Sequence, residues 1–160
     1  MNRTHKISKF FLFLFLLPCL SGGFLAGCHQ IRPPSILSRL SAQELTSLRK
    51  PVFFGFNQSA LEGDGKAGEQ RRLLNEKAKI LARYQKLRVV LEGHTDRIGS
   101  VDYNLRLGDR RARWIKWFLA EKGVEPDRLV VVSLGKSKPR RPDQSASARR
   151  ENRRVEFVLP

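Results

Sequence analysis

Two short apolar runs, each preceded by an amphipathic segment, constrain the fold of this 160-residue chain more than any other feature. Leu129–Leu134 is almost continuously apolar, and Arg88–Glu92 carries two valines and a leucine between charged ends. Runs of this length and composition are typical of strands, and Leu129–Leu134 is predicted to be the clearest buried strand. Glu69–Lys86 and Tyr103–Lys122 repeat apolar residues every three or four positions, which predicts amphipathic helices.

Two further strands complete the predicted order of elements. Val52–Phe56 is aromatic and β-branched, and Arg153–Leu159 alternates apolar and polar residues, while the segment between the last two strands is predicted to be a loop. The order β-α-β-α-β-β predicts an α/β fold of the α+β sandwich type, in which two helices cover one side of a mixed sheet. The length supports one domain of ordinary size, which we place at residues 51–160.

Residues 1–27 have the pattern of a secretory signal. Three positive charges precede an apolar run, Phe10–Leu17, which is shorter than the ~20 residues that a membrane span needs. Leu25–Cys28 reads Leu-Ala-Gly-Cys and resembles a bacterial lipobox, which predicts that Cys28 is acylated and becomes the first mature residue. The alternative is an uncleaved signal anchor with an incidental cysteine. We therefore expect a lipid-anchored protein, since acyl chains add ~0.8 kcal/mol of membrane binding per buried CH₂.

Residues 28–50 are predicted to be a tether between this lipid anchor and the domain. The stretch is polar and includes Pro33 and Pro34. Four leucines at helical spacing permit a short surface helix: Leu37, Leu40, Leu45 and Leu48. The composition favours weak local structure over that helix.

The formal net charge of +16 indicates an anionic neighbour without saying which one. The segment 136–154 is rich in Lys and Arg, which neutralise phosphates well. A secretory signal argues against nucleic acid as a partner, so a solvated basic loop is the default interpretation. A second hypothesis is that this segment contacts anionic lipid headgroups or the anionic wall polymer.

Few residues are available for catalysis. His94 is the only histidine of the predicted domain, and Cys28 is the only mature cysteine, which excludes Cys–His catalysis and a zinc site of several histidines. Glu92 and Asp96 are close enough in sequence to be considered as a glycosidase pair. Acidic residues near a strand end more often bind or cap, and His94 is predicted to be a hydrogen-bonded loop support. We predict no enzyme, no metal site and no cofactor.

The candidate site is the glycine-containing loop that follows the strand Arg88–Glu92. Asp96 lies in this loop, ahead of a helix on which Asn104, Leu107 and Arg111 share one face. A carboxylate and a guanidinium held apart suit a zwitterion, whose carboxylate the guanidinium grips and whose ammonium the carboxylate receives. A simple Asp96–Arg111 salt bridge fits the spacing equally well, so both interpretations remain open at this point.

A series of short motifs then resembles the OmpA-like peptidoglycan-binding domain, in order and at the family's spacing over residues 52–159. The matching motifs are Phe56-Asn57, Glu92-Gly93-His94-Thr95-Asp96, Gly99-Ser100, Tyr103-Asn104, Leu107-Gly108, Arg110-Arg111-Ala112, Gly123-Val124, Arg128-Leu129, Gly135-Lys136 and Asn152-Arg153-Arg154-Val155-Glu156-Phe157. With a lipobox in front, the chain resembles the peptidoglycan-associated lipoproteins. Relatives often have Asp where Gly55 or Asn57 stands here, so one wall of the pocket is expected to differ.

The resemblance implies a function and a site. It implies noncovalent binding of the peptidoglycan peptide stem through its diaminopimelate residue, and the family's ligand-contacting residues match Asp96, Asn104, Leu107 and Arg111. The residue directly after Cys28 is His29 and not Asp, which by resemblance to sorted lipoproteins implies the outer membrane, with the domain in the periplasm. The alternative is an adaptor for a Tol-type or secretion-system assembly that uses wall binding as its foothold.

The lipid anchor gives a direct prediction. The Cys28→Ser substitution removes the thiol that accepts the lipid, so the protein should move from the membrane fraction to the soluble fraction. The check is fractionation and immunoblotting of cells that express either form. Unchanged membrane retention of the Cys28→Ser variant would contradict lipidation at this residue.

Overall fold

The computed structural model describes residues 35–63 and 65–160, and the predicted signal segment and Cys28 lie outside these residues. The helices are α1 (Ala42–Arg49), α2 (Lys66–Arg83), α3 (Val101–Glu121) and α4 (Ala146–Asn152), and the strands are β1 (Val52–Phe53), β2 (Val89–His94), β3 (Leu129–Gly135) and β4 (Arg154–Val158). Single 3₁₀ turns cover Ile36–Arg39 and Pro126–Arg128. Among the described residues, no helix combines the length and apolar character that crossing a membrane requires.

The four strands form one mixed sheet in the order β1-β4-β2-β3. Strand β2 runs parallel to β3, with Leu91 opposite Val131, and antiparallel to β4, with Leu91 opposite Phe157. Strand β1 adds a two-residue antiparallel edge on β4, with Val52 opposite Val155. The predicted mixed sheet is therefore confirmed.

One face of this sheet joins the hydrophobic core. Leu91 and Phe157 pack there with Leu74 and Leu81 of α2 and with Ile115 of α3. The residues that alternate with them along the strands are partly open to solvent, as at Val158, which is 40% exposed. Helices on one side and solvent on the other explain why β4 has the alternating pattern seen in the sequence.

Strand β3 differs from the prediction. It lies at the edge of the sheet rather than in its interior, and Val130 and Val132 are 48% and 37% exposed. A continuous apolar run therefore does not mean burial on both faces here, because only one face of this sheet is covered.

Helix α4 was missed by the sequence analysis, which assigned its residues to a loop. It begins after Ser145, whose hydroxyl accepts a hydrogen bond from the Ala148 backbone N–H at 3.0 Å. Asp143 in turn accepts a hydrogen bond from the Ser145 backbone N–H. Serine is a favoured N-cap residue, but the arginines and serines around it are typical of a loop.

Residues 36–49 also differ from the prediction of a weakly structured tether. Helix α1 starts with a reciprocal capping box, in which Ser41 and Glu44 each bond the other's backbone N–H. Leu48 is fully buried, and Leu40 is almost so. Ordered structure that packs on the core is therefore already present before Pro51, because the repeated leucines supply an apolar face.

Lys77 of α2 binds the C-terminal end of α1 through hydrogen bonds. Its side chain is fully buried, and its Nζ donates hydrogen bonds of 2.6 Å to the carbonyls of Ser47 and Leu48. The ammonium lies 4.1 Å from the centre of the Phe157 ring. No carboxylate pairs with it in the part of the chain that the structure describes. Burial, followed by the charge of Lys50, lowers the pKa of Lys77 from its ordinary value of 10.5 to about 7.

Helix α3 approaches β2 closely through two glycines. A Cβ atom on Gly93 would lie 2.0 Å from the carbonyl oxygen of Gly108, and one on Gly108 would lie 2.4 Å from the Ser133 hydroxyl oxygen. Only residues without side chains permit this contact. The contact sets the start of α3 directly beside the end of β2, where the candidate site lies.

The buried Lys77 predicts a pH-dependent stability. The pKa of Lys77 in the folded chain lies below its pKa in the unfolded chain. Between these two values the unfolded chain binds more protons than the folded chain. The free energy of unfolding therefore rises with pH in that window. Between pH 7 and about 10 the free energy of unfolding should rise by at most about 1.4 kcal/mol per pH unit. Urea unfolding followed by circular dichroism measures it.

The Lys77→Met variant should lose this part of the pH dependence. Lys79→Met, at an exposed position of the same helix, is the matched control and should keep it. Equal slopes for wild type and Lys77→Met would show that the buried amine has an ordinary pKa.

Candidate ligand-binding site

The loop between β2 and α3 is held by its own short polar groups. The Asp96 carboxylate oxygen Oδ1 accepts a hydrogen bond from the Ile98 backbone N–H at 3.1 Å. Ser100 caps α3 by accepting a hydrogen bond from the Tyr103 backbone N–H at 3.2 Å, and Gly99 supplies a positive φ of 97°. The loop that carries Asp96 therefore has a defined shape without a ligand.

Asn104 reinforces this loop from the first turn of α3. Its Nδ2 donates hydrogen bonds of 2.9 Å to the carbonyls of Ile98 and Ser100. Its Oδ1 has no hydrogen-bond partner among the described residues, although Asn104 is only 1% exposed. A buried acceptor without a donor costs free energy, and a ligand N–H would relieve that cost.

Arg111 is a fully buried guanidinium one turn below Leu107 on the same helix. Its Nε donates to the carbonyl of Gln58 at 2.8 Å, its Nη1 to that of His94 at 3.0 Å and its Nη2 to that of Gly55 at 3.3 Å. These bonds use three of the five N–H donors of a guanidinium. Arg111 therefore joins segment 55–58 to the end of β2.

Asp96 pairs with Arg153 and not with Arg111. Nη1 of Arg153 lies 3.1 Å from Oδ2 of Asp96, and Nε of Arg153 donates to the carbonyl of Phe54 at 3.1 Å. The simple Asp96–Arg111 salt bridge is therefore not observed. Arg153 was missed as a site residue, although the Asn-Arg-Arg motif that contains it was part of the resemblance.

All four predicted site residues line one cavity of about 280 Å³. Asp96, Asn104, Leu107 and Arg111 are brought together there as the spacing predicted. The remaining lining residues are Phe56, Asn57, Ile98, Gly99, Tyr103 and Arg153. Asn57, in the wall that was expected to differ, occupies a positive φ of 54°, and its Oδ1 accepts a hydrogen bond from the Tyr103 hydroxyl.

The cavity carries two guanidinium groups and one carboxylate. Burial, followed by repulsion from Arg153, lowers the pKa of Arg111 to about 10, while the Asp96 carboxylate acts in the opposite direction. Arg111 therefore remains protonated at neutral pH. The excess of one positive charge favours a ligand that brings a carboxylate, and the Asp96 and Asn104 oxygens favour one that also brings an N–H donor.

The paired carboxylates of a glycosidase are not present in this cavity. Glu92 is not among its lining residues, and its carboxylate instead lies 3.7 Å from the ring of His94. Glu92 and Asp96 therefore do not face a common reaction centre.

Part of the basic segment 136–154 is engaged within the fold, while Lys138, Arg140 and Arg150 are exposed. Arg153 and Arg154 are buried, and Arg141 pairs with Asp143 and Glu151. The interpretation as a uniformly solvated basic loop is therefore wrong for these residues, because α4 and the start of β4 fold them back onto the domain.

Comparisons with known proteins agree on the nature of the chain. The model of the OmpA family matches residues 53–153. The peptidoglycan-associated lipoprotein of Pasteurella multocida is 36% identical over 115 residues, which cover 72% of this chain and 73% of that protein. The outer-membrane lipoprotein YfiB of Pseudomonas aeruginosa is 34% identical over 147 residues, which cover 85% of this chain and 86% of that protein.

The solved structures agree with these sequence comparisons. The crystal structure of the peptidoglycan-associated lipoprotein from Burkholderia pseudomallei superposes with a TM-score of 0.64 at 29% sequence identity. The superposition covers 69% of this chain and 90% of that chain.

Proposed function

The chain belongs to the OmpA family, and from that premise and the geometry of the cavity we propose that it binds the peptide stem of peptidoglycan noncovalently and holds the outer membrane to the cell wall. One observation carries the proposal. A single cavity of about 280 Å³ is lined by the Asp96 carboxylate, by two guanidinium groups and by Asn104, whose buried amide oxygen has no hydrogen-bond donor among the described residues. This set of groups matches an amino acid that has a free ammonium and a free carboxylate.

Diaminopimelate is such a ligand, because the far end of its side chain carries both groups on one carbon. Its ammonium would face the Asp96 carboxylate and Oδ1 of Asn104. Its carboxylate would face the remaining N–H donors of Arg111 and Arg153. Leu107 is nearly buried and offers an apolar surface for the methylene groups. Binding in this way needs no cofactor and makes no covalent bond.

The membrane side of the proposal depends on the lipobox. The relatives named above include an outer-membrane lipoprotein and a peptidoglycan-associated lipoprotein. Acylation of Cys28 would attach this chain in the same manner, with the domain in the periplasm. Wall binding at one end and acyl chains at the other would then form a link between the two layers.

Two other functions find less support. A role as an adaptor in a Tol-type or secretion-system assembly is not favoured, since the relatives are named for peptidoglycan association rather than for such an assembly. A hydrolytic enzyme is not favoured either, since the cavity has one carboxylate and the second one lies outside it. We propose binding without catalysis and without nucleic acid.

The charge of Asp96 provides the test. Asp96→Asn keeps the shape of the side chain but leaves Arg153 and the ligand ammonium without a matching charge, which should weaken binding by about 2–5 kcal/mol. Sedimentation of the protein with purified sacculi measures the loss. Asp102→Asn, at an exposed position in the first turn of α3, is the matched control and should bind as wild type does.

The fold of the Asp96→Asn variant should be checked by thermal unfolding before binding is compared. If the folded variant still sediments with sacculi as wild type does, the cavity is not the wall-binding site. If sacculi release soluble fragments during the incubation, the protein is an enzyme and the proposal of simple binding is wrong.

A further inference from the structure

A second cluster of polar groups lies outside the cavity, across strands β2 and β4. Glu92 and His94 are two positions apart on β2, and Glu156 lies opposite Glu92 on β4. One ligand atom of each residue lies within 4.8 Å of the others. None of the three residues lines the cavity described above.

His94 is the unusual member of this cluster. It is only 2% exposed, and neither ring nitrogen makes a hydrogen bond of normal geometry among the described residues, although the Lys138 backbone lies near enough to raise its pKa. It was predicted to be a hydrogen-bonded loop support, but only its backbone carbonyl has that role, as an acceptor for Arg111. Its Nε2 points toward the cluster and lies 3.7 Å from Oε2 of Glu92. A buried imidazole nitrogen without a partner is costly, and a ligand bound to Nε2 would remove the part of the cost that belongs to that nitrogen.

The imidazole is in the form that binds metals. Burial, followed by the positive charge of Arg154, lowers the pKa of His94 to about 4. At neutral pH the ring is therefore uncharged and keeps a lone pair on one nitrogen, which is the state in which histidine binds metals.

Charges of both signs surround the cluster. Arg154 donates from Nε to Oε1 of Glu156 at 2.5 Å, and its Nη atoms donate to the carbonyls of Asn152 and Lys138. Burial opposes ionisation of Glu156, but the hydrogen bond and the charge of Arg154 outweigh it and lower the pKa of Glu156. Arg154 bonds only Oε1 of Glu156, which leaves the other carboxylate oxygen for a ligand. A metal ion bound here would also have to offset the positive charges of Arg154, Lys138 and Arg140.

We propose that Glu92, His94 and Glu156 form a binding site for a divalent metal ion, with Zn²⁺ as the ion that the ligands suit best. One imidazole nitrogen and two carboxylate oxygens are ligands that zinc accepts, and three protein ligands leave a fourth position for water. Ligands at ~2.0–2.1 Å from zinc lie ~3.3 Å apart in a tetrahedron. Nε2 of His94 and Oε2 of Glu92 are 3.7 Å apart, and all three ligand atoms lie within 4.8 Å, so metal binding requires the side chains to move closer together.

Metal at this position would join β2 to β4 next to the carbonyl of His94, which Arg111 binds. The proposal does not depend on peptidoglycan binding, because its ligands and those of the cavity are different residues. A failure of either proposal therefore leaves the other one standing.

The test is a titration of the full-length chain in detergent with Zn²⁺, in which isothermal titration calorimetry measures the binding. Wild type should bind one Zn²⁺ at this site, and Glu92→Gln and Glu156→Gln should each bind it at least about tenfold more weakly, since the loss of outer-shell groups alone costs that much. Glu121→Gln, at an exposed position of α3, is the matched control and should bind zinc as wild type does. Mg²⁺ should bind much more weakly, since it does not favour imidazole.

X-ray absorption at the zinc edge then identifies the ligands. The proposal predicts nitrogen and oxygen at ~2.0–2.2 Å and no sulfur. A sulfur ligand would place the metal on a cysteine and overturn the proposal, as would equal affinity of wild type and a folded Glu92→Gln variant. Absence of zinc binding by wild type at submillimolar concentrations would overturn it as well.

Discussion

The structure depends on the burial of one guanidinium, that of Arg111. Its charge is removed from water, and three backbone carbonyls from two separate segments replace the lost hydration. An unpaired buried charge is expensive, so the segments that supply these carbonyls are held where they are. The end of β2, the segment 55–58 and helix α3 meet at this side chain, and the cavity is the space that remains between them.

The second guanidinium gives the cavity its chemical preference. Arg153 takes Asp96 as its partner, so the single carboxylate of the cavity is oriented before any ligand arrives. Arg111 and Arg153 repel each other, and a ligand carboxylate placed between them would reduce that repulsion. The ion pair thus presents an anion and spare donors at the same time, as recognition of a zwitterionic group requires.

Much of this arrangement was predictable, because it depends on local periodicity and spacing. The stripe that contains Leu74 and Leu81 placed α2, and the i, i+3 and i+7 spacing placed Asn104, Leu107 and Arg111 on one face. The position of Arg153 was not predictable from spacing, because its contact with Asp96 joins residues 57 positions apart through strand pairing. The exposure of β3 depends in the same way on which strand forms the sheet edge.

The ordered helix α1 and the burial of Lys77 could not be predicted from the sequence for a different reason. A lysine in an amphipathic helix is normally assigned to the solvent face, and nothing local indicates that two carbonyls at the end of α1 will receive it. The polar composition before Pro51 likewise predicts weak structure, although the leucines of this stretch form an apolar face that packs on the core. In both cases the residues that make the contact lie in another helix or strand. The local sequence pattern therefore predicts the more common arrangement, which is an exposed lysine or a flexible tether.

A crystal structure of the protein with a diaminopimelate-containing muropeptide is the most direct measurement of the central claim. It should show the diaminopimelate ammonium within hydrogen-bond distance of the Asp96 carboxylate and the adjacent carboxylate in contact with Arg111 or Arg153. A stem peptide seated elsewhere on the domain, with this cavity filled only by water, would contradict the account.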